Sequence, residues 1–178
     1  LDYSKNVIAS MKQEMKNETG IPVLYEVGDA RDLRYKNASF EIILEKGTLD
    51  AMLSDSDGVS NCRKIVAECA RLLTIGGYFV IISHLNAHVE SGLEWLNNVV
   101  VPGLRAAAAG NNDFEWLIEV HGSDVEIPSD DEDEEKEIES PGPAVYFIEK
   151  VGLAKQQETK TRSDDQEKPT IPLKFFSY

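Results

Sequence analysis

Two short apolar runs, Phe40–Leu44 and Tyr78–Ile82, bracket a helical stripe of Ile65, Val66, Cys69, Leu72 and Leu73, and this frame leaves few folds open. Runs of that length and composition suit strands covered on both faces, which implies parallel pairing. Gly76-Gly77 stops the helix before the second run. Upstream, Ser4 is a plausible N-cap for Val7, Ile8, Met11 and Met15, apolar at helical spacing until Gly20-Ile21-Pro22. Val23–Val27 then reads as a further short strand. The alternation of strand and helix predicts an α/β fold, in which right-handed crossovers keep the strands parallel and ligands bind beyond their C-terminal ends.

The last third departs from this rhythm. A helix is expected across Val89–Ala109, interrupted around Pro102-Gly103, followed by strands Phe114–Val120 and Ala144–Lys150. Two strands with no helix between them predict an antiparallel hairpin at a sheet edge. The expected organisation is one domain over residues 1–152, with an acidic loop at 123–140 inserted in the hairpin. Residues 153–178 read as a disordered tail, although Ile171–Tyr178 is apolar enough to dock somewhere.

Half of the net charge of −14 lies in that loop, where Ser129–Glu139 holds eight carboxylates against one lysine. With no Lys/Arg cluster to neutralise phosphates, nucleic acid is not the expected partner; a small molecule or a protein is. Cys62 and Cys69 fall on one helix face about 10 Å apart along its axis, too far for a disulfide, and read as reduced core residues of an intracellular, cytoplasmic protein. No run approaches the eighteen apolar residues of a membrane span, so no membrane association is expected. The sequence does not specify an oligomeric state.

Three acidic positions follow three strand ends. Asp2 precedes a helix, where its carboxylate can accept hydrogen bonds from both hydroxyls of a ribose, although a simple partner for the helix dipole is the stronger reading on this position alone. Gly28-Asp29-Ala30 follows Val27, placed so that a carboxylate and the next N–H can hold an adenine edge. Glu45-Lys46-Gly47-Thr48-Leu49-Asp50 follows Leu44 abruptly. Their joint recurrence at the ligand-binding rim argues for a site. His84 and His88 have the spacing for a shared zinc ion but no third ligand, so no metal is expected; His84 fits better at the active-site mouth. Trp95 and Trp116 read as core.

Leu1–Ile8, Asn37–Leu53 and Arg71–Gly77, above all Glu45-Lys46-Gly47-Thr48-Leu49-Asp50-Ala51, resemble the lysine methyltransferases of translation elongation factor 1-alpha. The resemblance implies a class I, Rossmann-like sheet of seven strands ordered 3-2-1-4-5-7-6, S-adenosyl-L-methionine as cofactor, and an elongation factor 1-alpha-like protein as substrate. It implies that Asp2 and Tyr3 contact the cofactor ribose, Asp29 and Ala30 the adenine, and Glu45 the methionine end. Lys46, Gly47, Thr48 and Leu49 would lead to the substrate channel, with His84 at its mouth.

Methyl transfer to a lysine amine needs positioning and deprotonation, for which Glu45 and Asp50 are the candidate carboxylates. Asp50 reads equally as a carboxylate stabilising the short helical turn that it opens. Members of this family carry a first strand and a Gly-rich cofactor loop ahead of the position matching Leu1. The expected sheet therefore lacks strand 1 and most of strand 2, and the chain alone is expected to be inactive. A non-catalytic methyltransferase-like interaction module is the alternative, and a nicotinamide-dependent dehydrogenase a second; the terminal hairpin and the Glu45–Ala51 run speak against the latter.

Overall fold

The computed structural model describes residues 1–15, 20, 22–111, 113–122, 142–153 and 171–177. Helix α1 (Lys5–Glu14) begins at Ser4, whose side chain accepts a hydrogen bond from the Val7 N–H. It is followed by strand β1 (Phe40–Lys46), helix α2 (Thr48–Met52), helix α3 (Gly58–Leu72) and strand β2 (Leu73–Ser83). Helix α4 (Glu90–Trp95), a π-helical turn (Leu96–Val100) and helix α5 (Val101–Ala107) lead to strands β3 (Phe114–Gly122), β4 (Ala144–Gly152) and β5 (Leu173–Ser177).

The strands form one sheet in the order β1-β2-β4-β3-β5. β1 and β2 run parallel, β4 runs antiparallel to both of its neighbours, and β5 runs parallel to β3. Read along the sheet, β1, β2, β4 and β3 reproduce the 4-5-7-6 part of the expected order.

Side-chain alternation explains which face is dry. On β3, Phe114, Trp116, Ile118 and Val120 point inward, while Glu115, Leu117, Glu119 and His121 point to the other face. Tyr146, Ile148 and Lys150 on β4 and Phe79, Ile81 and Ser83 on β2 share the inward face, against which Cys62, Ile65, Val66 and Cys69 of α3 and Leu96, Val100 and Leu104 pack. Each large side chain fully buried there contributes about 1.5–3 kcal/mol. Lys150, pointing into this core, donates hydrogen bonds from Nζ to the carbonyls of Ala70 (3.2 Å) and Leu73 (2.8 Å) and lies 4.4 Å from the centre of the Phe114 ring. It thus satisfies the end of α3, and burial lowers its pKa.

Four expectations are corrected. Val23–Val27 is not a strand: only Val27 bridges Asp2, in a parallel pair flanked by the Asp2 N–H to Glu26 and Gly28 N–H to Asp2 carbonyl bonds. The interruption of the helix after β2 is a π turn at Leu96–Val100, which ends two residues before Pro102; Pro102 itself lies in the first turn of α5, which continues from that turn. The hairpin β3–β4 is not the sheet edge, because β5 covers it. Residues 171–177, expected within a disordered tail yet apolar enough to dock, do dock and supply that strand at Leu173–Ser177, with Ile171 and Leu173 packed against the core. The acidic loop and residues 154–170 lie outside the described residues. At the opposite edge, among the described residues, β1 has no outer partner, and Ile42 and Leu44 are 67% and 66% exposed.

Candidate active site

Glu45 is the last inward-facing residue of β1, only 7% exposed. Directly after it the chain turns through Gly47, whose φ of 78° lies in the left-handed region that favours glycine. That turn folds α2 back over the strand end, so that Glu45 Oε1 accepts the N–H groups of Thr48 (2.5 Å) and Leu49 (3.1 Å). Its other oxygen, Oε2, is buried and has no hydrogen-bond partner among the described residues. Burial raises the Glu45 pKa, against the lowering effect of those two backbone bonds.

Asp50, one turn along α2, joins the ends of β1 and β2. Its Oδ1 accepts from the Ser83 hydroxyl (2.5 Å) and its Oδ2 from the His84 N–H (3.0 Å). Beneath them the Cys62 thiol donates to the Leu49 carbonyl (3.5 Å), and burial, aided by the charges of Glu45 and Asp50, pushes its pKa up to about 11. Both cysteines are free thiols. Leu49, expected along the substrate channel, is instead completely buried as a core residue beneath α3. Lys46, Thr48 and His84 are exposed around the mouth.

The loop after β2 is tied down by residues that sequence reasoning passed over. The Tyr146 hydroxyl accepts the Ala87 N–H (2.9 Å) and donates to the Leu85 carbonyl, and burial raises its pKa. Asn86, 1% exposed, accepts the His88 N–H at Oδ1 (3.0 Å) and donates to the Gly142 carbonyl (3.3 Å). Gly92 of α4 approaches so closely that a Cβ there would meet the Asn86 carbonyl at 2.1 Å. An asparagine three residues past the end of β2 was the signal available in the sequence.

The second group of candidates assembles around the Asp2–Val27 bridge. Asp2 Oδ1 accepts the Ser4 N–H (2.7 Å); among the described residues Oδ2 carries no hydrogen bond. Tyr3 is 85% exposed. Asp29 is engaged by Arg31, receiving its N–H and its guanidinium at 2.7–3.1 Å, which lowers the Asp29 pKa to about 2. Ala30 packs on the core. Arg31 reaches Asn61 of α3 (3.3 Å), so this segment is anchored on the same helix that backs Glu45, but among the described residues no hydrogen bond joins the two groups.

A strand order that contains 4-5-7-6, an antiparallel strand 7 between strands 5 and 6, and a buried carboxylate at the C-terminal end of β1 define a class I, Rossmann-like methyltransferase sheet. The family profile described as "Methyltransferase domain" matches residues 1–137, and the chain belongs to that family. Among its relatives, EEF1A lysine methyltransferase 4 of Mus musculus is 36% identical over 97 residues, covering 49% of this chain and 37% of the relative. The eEF1A lysine and N-terminal methyltransferase of Xenopus laevis is 34% identical over 123 residues, covering 68% of this chain and 16% of the relative. The chain thus spans well under half the length of either relative. A solved SAM-dependent methyltransferase from Methanosarcina mazei is 14% identical, covers 86% of this chain and 81% of its own, and superposes with a TM-score of 0.49.

Proposed function

We propose that this chain serves an S-adenosylmethionine-dependent protein methyltransferase that transfers methyl groups to lysine on an elongation factor 1-alpha-like substrate. The observation that carries this reading is the buried, unpartnered Oε2 of Glu45 at the end of β1, in a chain of the methyltransferase-domain family. A carboxylate oxygen without a partner costs about 1–3 kcal/mol or more in a finished interior, so its position calls for a donor from a ligand. The residues present also fit the cofactor: Asp2 Oδ2 is available to accept hydrogen bonds from ribose hydroxyls. Relatives named for lysine methylation of eEF1A support the substrate class.

When bound, S-adenosylmethionine supplies a methyl group made electrophilic by its sulfonium. The chain's own residues do the rest. Glu45, with its pKa raised by burial, attracts an ammonium donor and is suited to take its proton. Thr48 N–H and Leu49 N–H hold that carboxylate in one rotamer. Asp50, both oxygens engaged, keeps the ends of β1 and β2 together beside it.

Two observations favour a second reading, a methyltransferase-like interaction module: Asp29 is already engaged by Arg31, and Tyr3 stands in solvent. Calorimetric titration of S-adenosylhomocysteine separates the two, run on this chain and on a version carrying whatever residues precede Leu1. The enzyme reading expects binding by the longer version that Glu45→Gln weakens about tenfold or more, and poor binding and no turnover by the 178-residue chain. No binding by either version sinks it.

A further inference from the structure

Strand β5 lies beyond the 4-5-7-6 strands, and its pairing places it on the same rim as the candidate site. The registers join Glu45 to Ile81, Ile81 to Tyr146, Tyr146 to Val120 and Val120 to Phe175. Glu45 and Phe175 are therefore the two ends of one row across the sheet, four strand spacings or about 19 Å apart, with their side chains on the helix-bearing face. The loop that follows β2 runs along the top of this row. It is held by Asp50 at His84, by the Tyr146 hydroxyl at Leu85 and Ala87, and at its far end by Phe175, whose ring meets His88 edge-on at 5.2 Å.

Phe176, one residue on, faces the opposite side of the sheet and stacks on His121 at 4.6 Å. The two rings thus serve different tasks. Phe176, with the Lys174–Glu119 ion pair (3.1 Å) and the Ile118 N–H to Pro172 carbonyl bond, fastens the strand. Phe175 reaches the loop.

We propose that β5 is a positioning strap of the substrate mouth: Phe175, through the ring of His88, holds the His84–Val89 loop and with it the exposed His84 in the place an incoming protein substrate meets. Its structural half stands independently of the enzymatic reading; the substrate half rests on it. Phe175 is 45% exposed, so truncating its ring removes the contact without opening a closed core.

Hydrogen exchange on the full chain tests the contact without any cofactor. In Phe175→Ala the amides of Ala87 and His88 should exchange at least about tenfold faster, with Phe175→Tyr restoring protection. Phe176→Ala should leave those two amides within about twofold of the parent. Unchanged protection in Phe175→Ala, or equal loss in both alanine variants, overturns the strap. In a version that turns over, Phe175→Ala should raise KM for elongation factor 1-alpha about fivefold or more and leave S-adenosylhomocysteine affinity within about twofold. An unchanged KM overturns the substrate half. The exchange pattern together with no S-adenosylhomocysteine binding by either the 178-residue chain or the longer version refutes the methyltransferase reading and leaves the strap in place.

Discussion

The two halves of the candidate site are built to different standards. Glu45, Asp50, Ser83 and Tyr146 sit at the ends of paired strands over a helix-backed core, and burial shifts the pKa of Glu45 and Tyr146. Asp2, Tyr3 and Asp29 hang on a single isolated bridge, with Tyr3 in solvent and Asp29 perturbed mainly by its neighbour Arg31. The difference teaches that one half is pre-organised by packing and the other is held by local hydrogen bonds. Chemistry that needs a desolvated carboxylate belongs to the first; recognition of hydroxyls, which works at a wet surface, suits the second.

The largest effect should come from striking the packed half. Phe79→Ala opens a cavity at a completely buried position of β2 and should cost about 3–5 kcal/mol in urea unfolding. Val27→Ala, in the bridge half and 47% exposed at present, should stay within about 0.5 kcal/mol. Equal costs would show that the comparison is wrong.

Next comes Asp2→Ala, predicted to weaken S-adenosylhomocysteine binding by about 1.5–3 kcal/mol in a version that binds it, the loss of charge-assisted bonds to ribose. The thermal midpoint should barely move. Affinity as tight as the parent's would remove Asp2 from the ribose site.

Glu45→Gln sharpens the contrast through pH. Because the folded-state pKa of Glu45 is raised, the unfolded chain gives up that proton first, and its ionisation lowers stability as pH rises from the ordinary glutamate value of 4.5 through the raised one. Glutamine has no such loss, so the variant should gain on the parent across that window and keep the gain above it. Asp29 has the opposite sign: its Arg31 pair contributes above the ordinary value of 3.8 and is lost as pH falls towards about 2. Asp29→Asn should therefore narrow the acid-side stability, by less than about 1 kcal/mol for so exposed a pair. Unfolding midpoints measured from pH 2 to 8 read both.

Deleting Ser129–Glu139 should be the mildest change, with a thermal midpoint within about 2 °C of the parent, because a run of like charges repels itself and cannot build a core. A large fall would give that loop a structural duty.

Alternating strand and helix, carried by Phe40–Leu44, the α3 stripe and Tyr78–Ile82, was enough to define an α/β sheet, although among the described residues Ile42 and Leu44 leave one face of β1 exposed and not covered as expected. The Glu45–Ala51 run pointed to the family, and Glu45 stands at the end of β1, where ligand sites lie in any such sheet, whereas Asp2 lies in an isolated bridge and Asp29 just after it, instead of at strand ends. Three things were decided by tertiary structure alone. Val23–Val27 has strand-like composition, yet pairing requires a neighbour, and only Val27 meets one. The family resemblance implied that Leu49 leads to the substrate channel, but after the left-handed turn at Gly47 its side chain is completely buried in the core. Leu173–Ser177 becomes a strand because β3 offers an open edge in register, and which ring of Phe175 and Phe176 reaches the loop follows from the two-residue period of that pairing, a property of the partner strand that no local composition encodes.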